Sequence, residues 1–586
     1  MASGLRVAAL CALLLCAFAA AAVVYAVLLL SVSASPCAFS SMSRTLLAVT
    51  GLDSYIVPCA DVEASAGELL SSNDGGDAKT ITTGGRPIVT DVLCGKPNLP
   101  PNALPPYHCC PPVPASEPVD FKLPDPSEPL RTRRPAHAAG SGAEEQHMAK
   151  YERAIALMKA LPRSDPRSFF QQANVHCAYC TGAYRQAGYP GLPVQIHFSW
   201  LFFPYHRAYL YFFERIAGKL LGDPGFALPF WSWDVPEGMR MPLAFANASS
   251  PLYDPLRNAN HVPHKLVDLD FMGAEKNYTD EQQIVHNLRI MYKQMISSAS
   301  LASLFLGQPY RAGESDKPGA GTMEVYPHNT LHVWSGDISH PNNEDMGDNY
   351  SAGRDPLFYV HHANVDRLWE AWRHIRNNSF HVDFTDPDWL DSSFLFYDEE
   401  ARLVRITVRD ILDIEKLRYA YDGVDLPWLN ARPPITPNVN LRNGGTSPGF
   451  IRFPIYLNMA LTTEVRRPHV LHNLPKKMIQ DEVLVVEHIE TDGTSIVKFD
   501  VFVNAREYEK VNPSGREMAG SFVCMKHNDN DDNLISKGVN TTMRLALDEI
   551  LEDLGAKEDA TVTVSLVPRH GKVKIGGLRI DYIVGE

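Results

Sequence analysis

Six histidines fall into two blocks of this 586-residue chain: His176, His197 and His206 in one, His328, His332 and His362 in the other. Imidazole is a borderline-soft ligand that suits copper, zinc, iron and nickel. Two three-histidine sets in one globular region suggest a pair of metal ions, each left with an open position. That is a catalytic or gas-binding arrangement rather than a structural one. His328 and His332 stand four apart in VYPHNTLHVW, so on a helix both rings share one face and can chelate one ion. His362, on another helix, could close the triangle. His197 and His206 are nine apart, about 180° out of phase on one ideal helix. They can converge only if the backbone breaks between them, and Pro204 is expected to supply the break. His176 must come from a different segment.

The segments that hold these residues read as helices. Glu144–Leu161, Phe198–Leu221 and Asp355 to about Arg376 carry apolar residues at helical spacing, with Pro162, Gly222-Asp223-Pro224 and Asp355-Pro356 as boundary signals. The expected core is a mainly α catalytic domain, a helical bundle with its site between facing helices. Near Ala431 the texture changes to ARPPITPNVNLRNGGTSPG, which has no helical or strand period and reads as a linker. Beyond it, FPIYLNMAL, EVLVVEHIE, SIVKFDVFVNA, TVTVSLVP and KIGGLRIDYIV suggest a small antiparallel β-sandwich with one helix, TTMRLALDEILEDL. The expected division is a signal peptide or membrane anchor over 1–35, a flexible pro-segment over 36–86, a catalytic domain holding both histidine sets over 87–430, a linker over 431–449, and a C-terminal domain over 450–586.

The bulk numbers exclude some functions. With 54 Lys and Arg against 68 Asp and Glu the net charge is −14, spread without a basic block, so nucleic acid is not an expected partner. A hydrophobic content of 45% allows a large core. The uncharged run from Val7 to Leu30 resembles a secretory signal peptide with a long apolar core and is also long enough to span a bilayer. A membrane is therefore expected as a partner only through this segment, if it is retained. Among the ten cysteines, Cys94, Cys109, Cys110 and Cys177 could form two disulfides, for which three connectivities are open. Sequons stand at Asn247, Asn277, Asn349, Asn377 and Asn540.

HCAYCTGAYRQAG with VQIHFSWLFFPYHRAYLYFFE resembles the first copper motif of the plant polyphenol oxidases, the catechol oxidases and tyrosinases. PHNTLHVWSGD and YSAGRDPLFYVHHANVDRLWEAW resemble the second. The resemblance implies two copper ions with dioxygen as co-substrate, one ion on His176, His197 and His206 and the other on His328, His332 and His362. His361 is implied to support the site without ligating. The family pattern implies a thioether between Cys180 and His197, and disulfides Cys94–Cys110 and Cys109–Cys177. PDWL from Pro387, the YAY around Tyr419 and Tyr421, and KFDV from Lys498 resemble structural markers, with packing as their implied role.

The implied activity is oxidation of ortho-diphenols to ortho-quinones with dioxygen reduced to water, with room for ortho-hydroxylation of monophenols. Glu324 matches the glutamate that holds a water in this family, and Asn329 the asparagine that polarises it; both bear on monophenol deprotonation. Asn349 stands where plant members often carry a phenylalanine gate. It is expected to leave a wider, wetter mouth, crowded by a glycan if its sequon is used. The C-terminal domain is implied to shield the site in a latent pro-enzyme until an activating protease cuts the linker. Phenolic small molecules and that protease are the expected partners. The segment before residue 35 lacks a Ser-rich transit peptide and a twin-arginine signal, so the secretory pathway, vacuole or cell exterior, is expected ahead of the thylakoid lumen. The alternatives are a haemocyanin-like dioxygen carrier, a pathway-specific phenol hydroxylase or coupling enzyme on the same scaffold, and a di-zinc or di-iron hydrolase, disfavoured because no carboxylate ligand is placed.

Overall fold

Helix signals in the catalytic region become helices with small shifts at their ends. TTMRLALDEILEDL, expected as one helix, is instead a strand over Asn540–Ala546 and a short helix over Asp548–Asp553, because its first half pairs into a sheet. The computed structural model describes residues 85–113, 116–138, 142–315, 317–376, 382–436, 449–468, 479–511, 514–526 and 538–584. The expected signal and nearly all of the pro-segment, most of the linker and the Asn377 sequon lie outside these residues. Six helices matter for the site: α1 (Gly142–Ala160), α2 (Phe169–Cys180), α3 (Phe202–Leu221), α4 (Asp280–Tyr292), α5 (Asn329–Ser335) and α6 (Leu357–Ile375). Ser168 caps α2 by accepting from the Gln171 N–H at 3.2 Å. Gly222, at φ 66°, closes α3 in the left-handed conformation that a side chain would resist. Asp355 Oδ1 accepts from the Leu357 N–H at 2.7 Å and starts α6.

Helices α2, α3 and α6 are buried over most of their length, so they are apolar or aromatic nearly all round. The expectation of a mainly α bundle holds only for this centre. Long irregular stretches, short single-turn helices and small strands such as Ser393–Tyr397 paired with Leu403–Thr407 surround it. Among the described residues no helix is long and apolar enough to cross a membrane.

The C-terminal region is built from β1 (Ile455–Tyr456), β2 (Leu461–Arg466), β3 (Ile479–Thr491), β4 (Val497–Val503), β5 (Met518–Cys524), β6 (Asn540–Ala546), β7 (Thr561–His570) and β8 (Val573–Val584). They form two four-stranded antiparallel sheets, ordered β2-β7-β4-β5 and β6-β3-β8-β1. The alternation in VKFDVFV would ordinarily leave one face in water. Instead every residue of β4 and of β5 is buried. Phe499 stacks on Phe522 at 5.3 Å within the region. Lys498, on the opposite face, pairs with Asp270 of the catalytic region, and both side chains are buried. The polar face of this sheet is therefore a docking face.

Candidate metal centre

The second histidine set is assembled almost locally. A wide turn over Glu324–His328, in which Tyr326 takes an extended backbone, delivers the chain into α5. His328 immediately precedes α5 with helical backbone, and His332 follows one turn later. His362 enters from α6. Their Nε2 atoms lie 3.1 Å (His328–His332), 3.4 Å (His328–His362) and 3.4 Å (His332–His362) apart. The His332 Nδ1–H donates to the Met346 carbonyl at 2.7 Å, and the His328 Nδ1–H to the Glu324 carbonyl at 3.2 Å. A carbonyl can only accept, so these bonds place the proton on Nδ1 and the lone pair on Nε2. The His328 and His332 lone pairs face each other at 3.1 Å and repel unless a cation lies between them. An ion at the centre of this triangle would sit about 1.9 Å from each nitrogen, close to the roughly 2.0–2.1 Å of a metal–imidazole bond.

The first set draws on three separate segments. His176 lies near the end of α2, His197 in a bend, and His206 in the second turn of α3. Ring centroids are 5.5 Å (His176–His197), 5.6 Å (His176–His206) and 5.5 Å (His197–His206) apart. One ligand atom from each comes within 4.8 Å of the others. The His176 Nδ1–H donates to the Asn349 carbonyl and the His206 Nδ1–H to the Phe202 carbonyl, each at 2.8 Å. Their Nε2 atoms are buried with no hydrogen-bond partner. Pro204 does not make the break between His197 and His206. It sits in the first turn of α3, where a missing N–H costs no helical bond. The break lies at Phe198, held at φ 59°, a left-handed conformation rare for a bulky residue.

The two sets share a wall. His206 and His362 stack at 4.1 Å, and Phe202 and Phe358 touch histidines of both sets. Burial holds the His176 imidazole down to about 3 and the His332 imidazole to about 4. It pushes those of His206, His328 and His362 well below the usual range, with the neighbouring imidazoles adding to the effect. All are neutral at physiological pH, the state in which imidazole ligates metal. Orphaned Nε2 atoms, all-nitrogen donor sets and a dry, uncharged setting fit a pair of copper ions.

His361 lies in the same cluster, yet its Nδ1 accepts from the Trp233 indole N–H at 3.1 Å. Its proton is therefore on Nε2, leaving no lone pair there for a metal. It stacks on His328 at 5.2 Å instead. Glu324 is buried, and its Oε1 accepts from the Phe198 N–H at 2.6 Å. Burial raises its carboxyl well above the usual carboxylate range. Asn329 Oδ1 lies 3.1 Å from His328 Nδ1, while its amide nitrogen donates to the Val523 carbonyl at 2.8 Å. Both disulfides, Cys94–Cys110 and Cys109–Cys177, are present, and the second ties the chain beside His176. Cys180 is buried outside them.

Asn349 corrects one expectation. Its carbonyl serves His176 and its side chain is only 6% exposed. It lines a cavity of about 10 Å³ with His197, Phe198, Asn329, Cys524 and Met525. That volume holds about one water. The mouth is closed rather than wide, and no glycan can be attached to a side chain so enclosed.

The sequence reading missed the residues behind the ligands. Arg207, next to His206, pairs with Asp366, one turn after His362 on α6, at 2.5 Å. Arg133, Tyr419 and Tyr421 also bond Asp366. Charges in otherwise aromatic helices beside ligand positions were the available signal. The YAY and KFDV markers thus hold α6 and the C-terminal sheet against the site. Trp389 of PDWL donates to the Trp200 carbonyl at 3.0 Å.

Comparisons with known proteins agree with this arrangement. The common central domain of tyrosinase matches residues 166–375, the polyphenol oxidase middle domain 383–434, and the chloroplastic polyphenol oxidase C-terminal domain 453–582. A chloroplastic polyphenol oxidase of Malus domestica is 49% identical over 505 residues, covering 83% of each chain. Aureusidin synthase of Antirrhinum majus is 46% identical over 532 residues, covering 88% of this chain and 92% of that one. The structure of latent apple tyrosinase superposes with a TM-score of 0.73 at 49% identity, over 80% of this chain and 100% of that one. The expected secretory destination is overturned. The Malus domestica relative, like those of Vitis vinifera and Prunus armeniaca, is named chloroplastic, which points to the plastid. An apolar N-terminal run does not by itself encode which membrane it addresses.

Proposed function

The chain belongs to the plant polyphenol oxidases, enzymes of copper-dependent phenol oxidation, and on that premise we propose that it oxidises ortho-diphenols to ortho-quinones as a latent pro-enzyme. In this reading His176, His197 and His206 hold one copper ion, and His328, His332 and His362 the other. Bound there, the copper pair would supply the electron exchange by which two ortho-diphenols, each giving up two electrons and two protons, reduce one dioxygen to two waters. Support comes above all from the convergence of buried Nε2 atoms 3.1–3.4 Å apart with nothing of the protein between them.

The protein's own residues orient the ligands, exclude water and help take a proton from the phenol. The carbonyls of Met346, Glu324, Asn349 and Phe202 fix four rings in the ligating tautomer. Phe202 and Phe358 keep water from the space between the sets. A thioether from Cys180 to His197 would hold the one ligand that no helix carries. Glu324, whose Oε2 is buried without a hydrogen-bond partner, is proposed to hold the water that receives the phenolic proton when a monophenol is hydroxylated. Asn329 assists only once its amide is released from Val523. The domain over 450–586 shields the site, and a cut in the 431–449 linker by an activating protease exposes it.

A second reading, a pathway-specific phenol hydroxylase or coupling enzyme, draws support from the 46% identity to aureusidin synthase. One experiment tests both. Protein cut in the linker is assayed for copper per chain and for oxygen uptake with a monophenol, its ortho-diphenol and a bulky catechol side by side. Two coppers per chain and rapid uptake with the small ortho-diphenol are expected. Uptake confined to the bulky phenol would favour the second reading, and copper well below two per chain would overturn both.

A further inference from the structure

One acceptor beside the metal centre is left without a use. Asn349 is more than nine-tenths buried, and its side-chain oxygen has no hydrogen-bond partner. The backbone carbonyl of the same residue is engaged, because it accepts from His176 Nδ1. The side chain borders two cavities of about 10 Å³ each. One is lined with His197, Phe198, Asn329, Cys524 and Met525, and the other includes Cys180, Asp348 and Lys526. The nearest donors are spent elsewhere. The Cys524 thiol donates to the Met525 carbonyl at 3.2 Å, and the Asn329 amide nitrogen to the Val523 carbonyl at 2.8 Å. An unpaired acceptor in so dry a place costs stability that a leucine of similar size would not.

Each cavity has room for about one water and for no phenol, so with β5 in place only solvent can donate to this oxygen. Both cavities are closed by the C-terminal region, the first by Cys524 and Met525, the second by Lys526. Lifting that region opens both at once, and Asn349 Oδ1 then borders the approach to His197. A hydroxyl offers the same donor as a water and can take its place, whereas an ether cannot. A buried acceptor discriminates through what an ill-matched ligand leaves unpaired.

Resting on the ortho-diphenol oxidase reading above, we propose that Asn349 Oδ1 is a specificity determinant that accepts a hydrogen bond from the substrate. The substrates it selects are ortho-diphenols bearing a further hydroxyl or N–H donor outside the catechol pair. The catechol oxygens are left to the metal pair, and the third donor reaches the amide oxygen. A phenylalanine at this position could only pack, whereas asparagine adds recognition of one hydrogen. Asn349 makes and breaks no covalent bond, so its contribution is to binding and not to the redox step.

The test uses the copper-loaded full chain, cut in the linker, with 4-(hydroxymethyl)catechol against 4-(methoxymethyl)catechol and the corresponding 3-substituted pair. One methylene insulates the ring, so each pair differs in the donor and hardly in ease of oxidation. At one ring position or both, kcat/KM should favour the hydroxymethyl compound about tenfold, carried by KM. Asn349→Leu should bring that ratio to about one, and Asn349→Asp, which keeps an acceptor oxygen, should preserve it. A ratio near one at both positions in the unmodified protein overturns the proposal. So does a preference that survives Asn349→Leu. Two coppers per chain with no oxygen uptake from any of the four compounds would instead strike the oxidase reading on which the proposal rests.

Discussion

The two histidine sets use the same ligand chemistry and reach it by different architecture. The second is a local product: one turn of α5 and one residue of α6 bring three Nε2 atoms within 3.4 Å. The first gathers a helix end, a bend and a helix start, with a disulfide beside one ligand and a left-handed residue after another. The C-terminal strand reaches both sets: its Cys524 shares a small cavity with His197, and its Val523 accepts from Asn329, next to His328. Ligand spacing can be secured by local periodicity or by tertiary staples, whereas the cover over both sets is tertiary.

The most direct way to break this comparison is to remove one corner of the tight triangle. His332→Ala should abolish oxygen uptake and lose one copper per chain while the first set keeps its own. If both coppers vanished together, the sets would not be independent, and metal analysis decides it. Next in size is Lys498→Met, which removes the C-terminal region's partner from the buried Asp270 carboxylate at the docking face and leaves it to Lys276 at 2.7 Å. Because Lys276 still pairs with Asp270, the cost falls below the about 3–5 kcal/mol of leaving a buried charge unpaired. The intact chain should then gain activity without proteolysis, seen as oxygen uptake before and after linker cleavage.

Cys109→Ser tests whether the first set depends on its staple. A loss of about 2–5 kcal/mol in unfolding by denaturant is expected. Copper should leave the first set at lower chelator concentration than the second, and equal loss would count against the contrast drawn here. Asn349→Phe in linker-cleaved protein should lower turnover of bulky catechols relative to small ones by roughly tenfold. Unchanged relative rates would remove Asn349 from control of access.

The smallest effect concerns the loop that serves both sets through the Met346 and Asn349 carbonyls. Burial raises the carboxyl of Asp348, in that loop, from 3.8 to about 8. The folded protein therefore holds a proton that the unfolded chain releases. This contribution is complete below about pH 4 and is lost as pH rises through about 8. The melting temperature of the intact chain should fall over that window, and Asp348→Asn should flatten the slope.

Legibility followed locality. The i, i+4 pair at His328 and His332, the helix ends at Gly222 and Asp355, and most strand segments after residue 450 could be read directly, because period and capping are short-range properties. The strands Met518–Cys524 and Asn540–Ala546 could not. The Pro204 error shows the limit. Proline marks a helix start as readily as a break, and only the neighbouring φ/ψ values tell which. The closed mouth at Asn349 was out of reach for a related reason. A residue's exposure depends on what the chain brings back over it, here β5 from some 170 positions later.

By itself the sequence determined the ligand types, the family, and the tight second set, since residue chemistry and helical period are written along the chain. Tertiary structure decided which nitrogen of each imidazole faces inward, which histidine of the cluster is excluded, and what closes the first set. Tautomers are set by carbonyls, indoles and amides contributed from distant segments. Access is set by a polar sheet face that would look solvent-exposed until its partner is in place. Those are properties of packing, and no local pattern carries them.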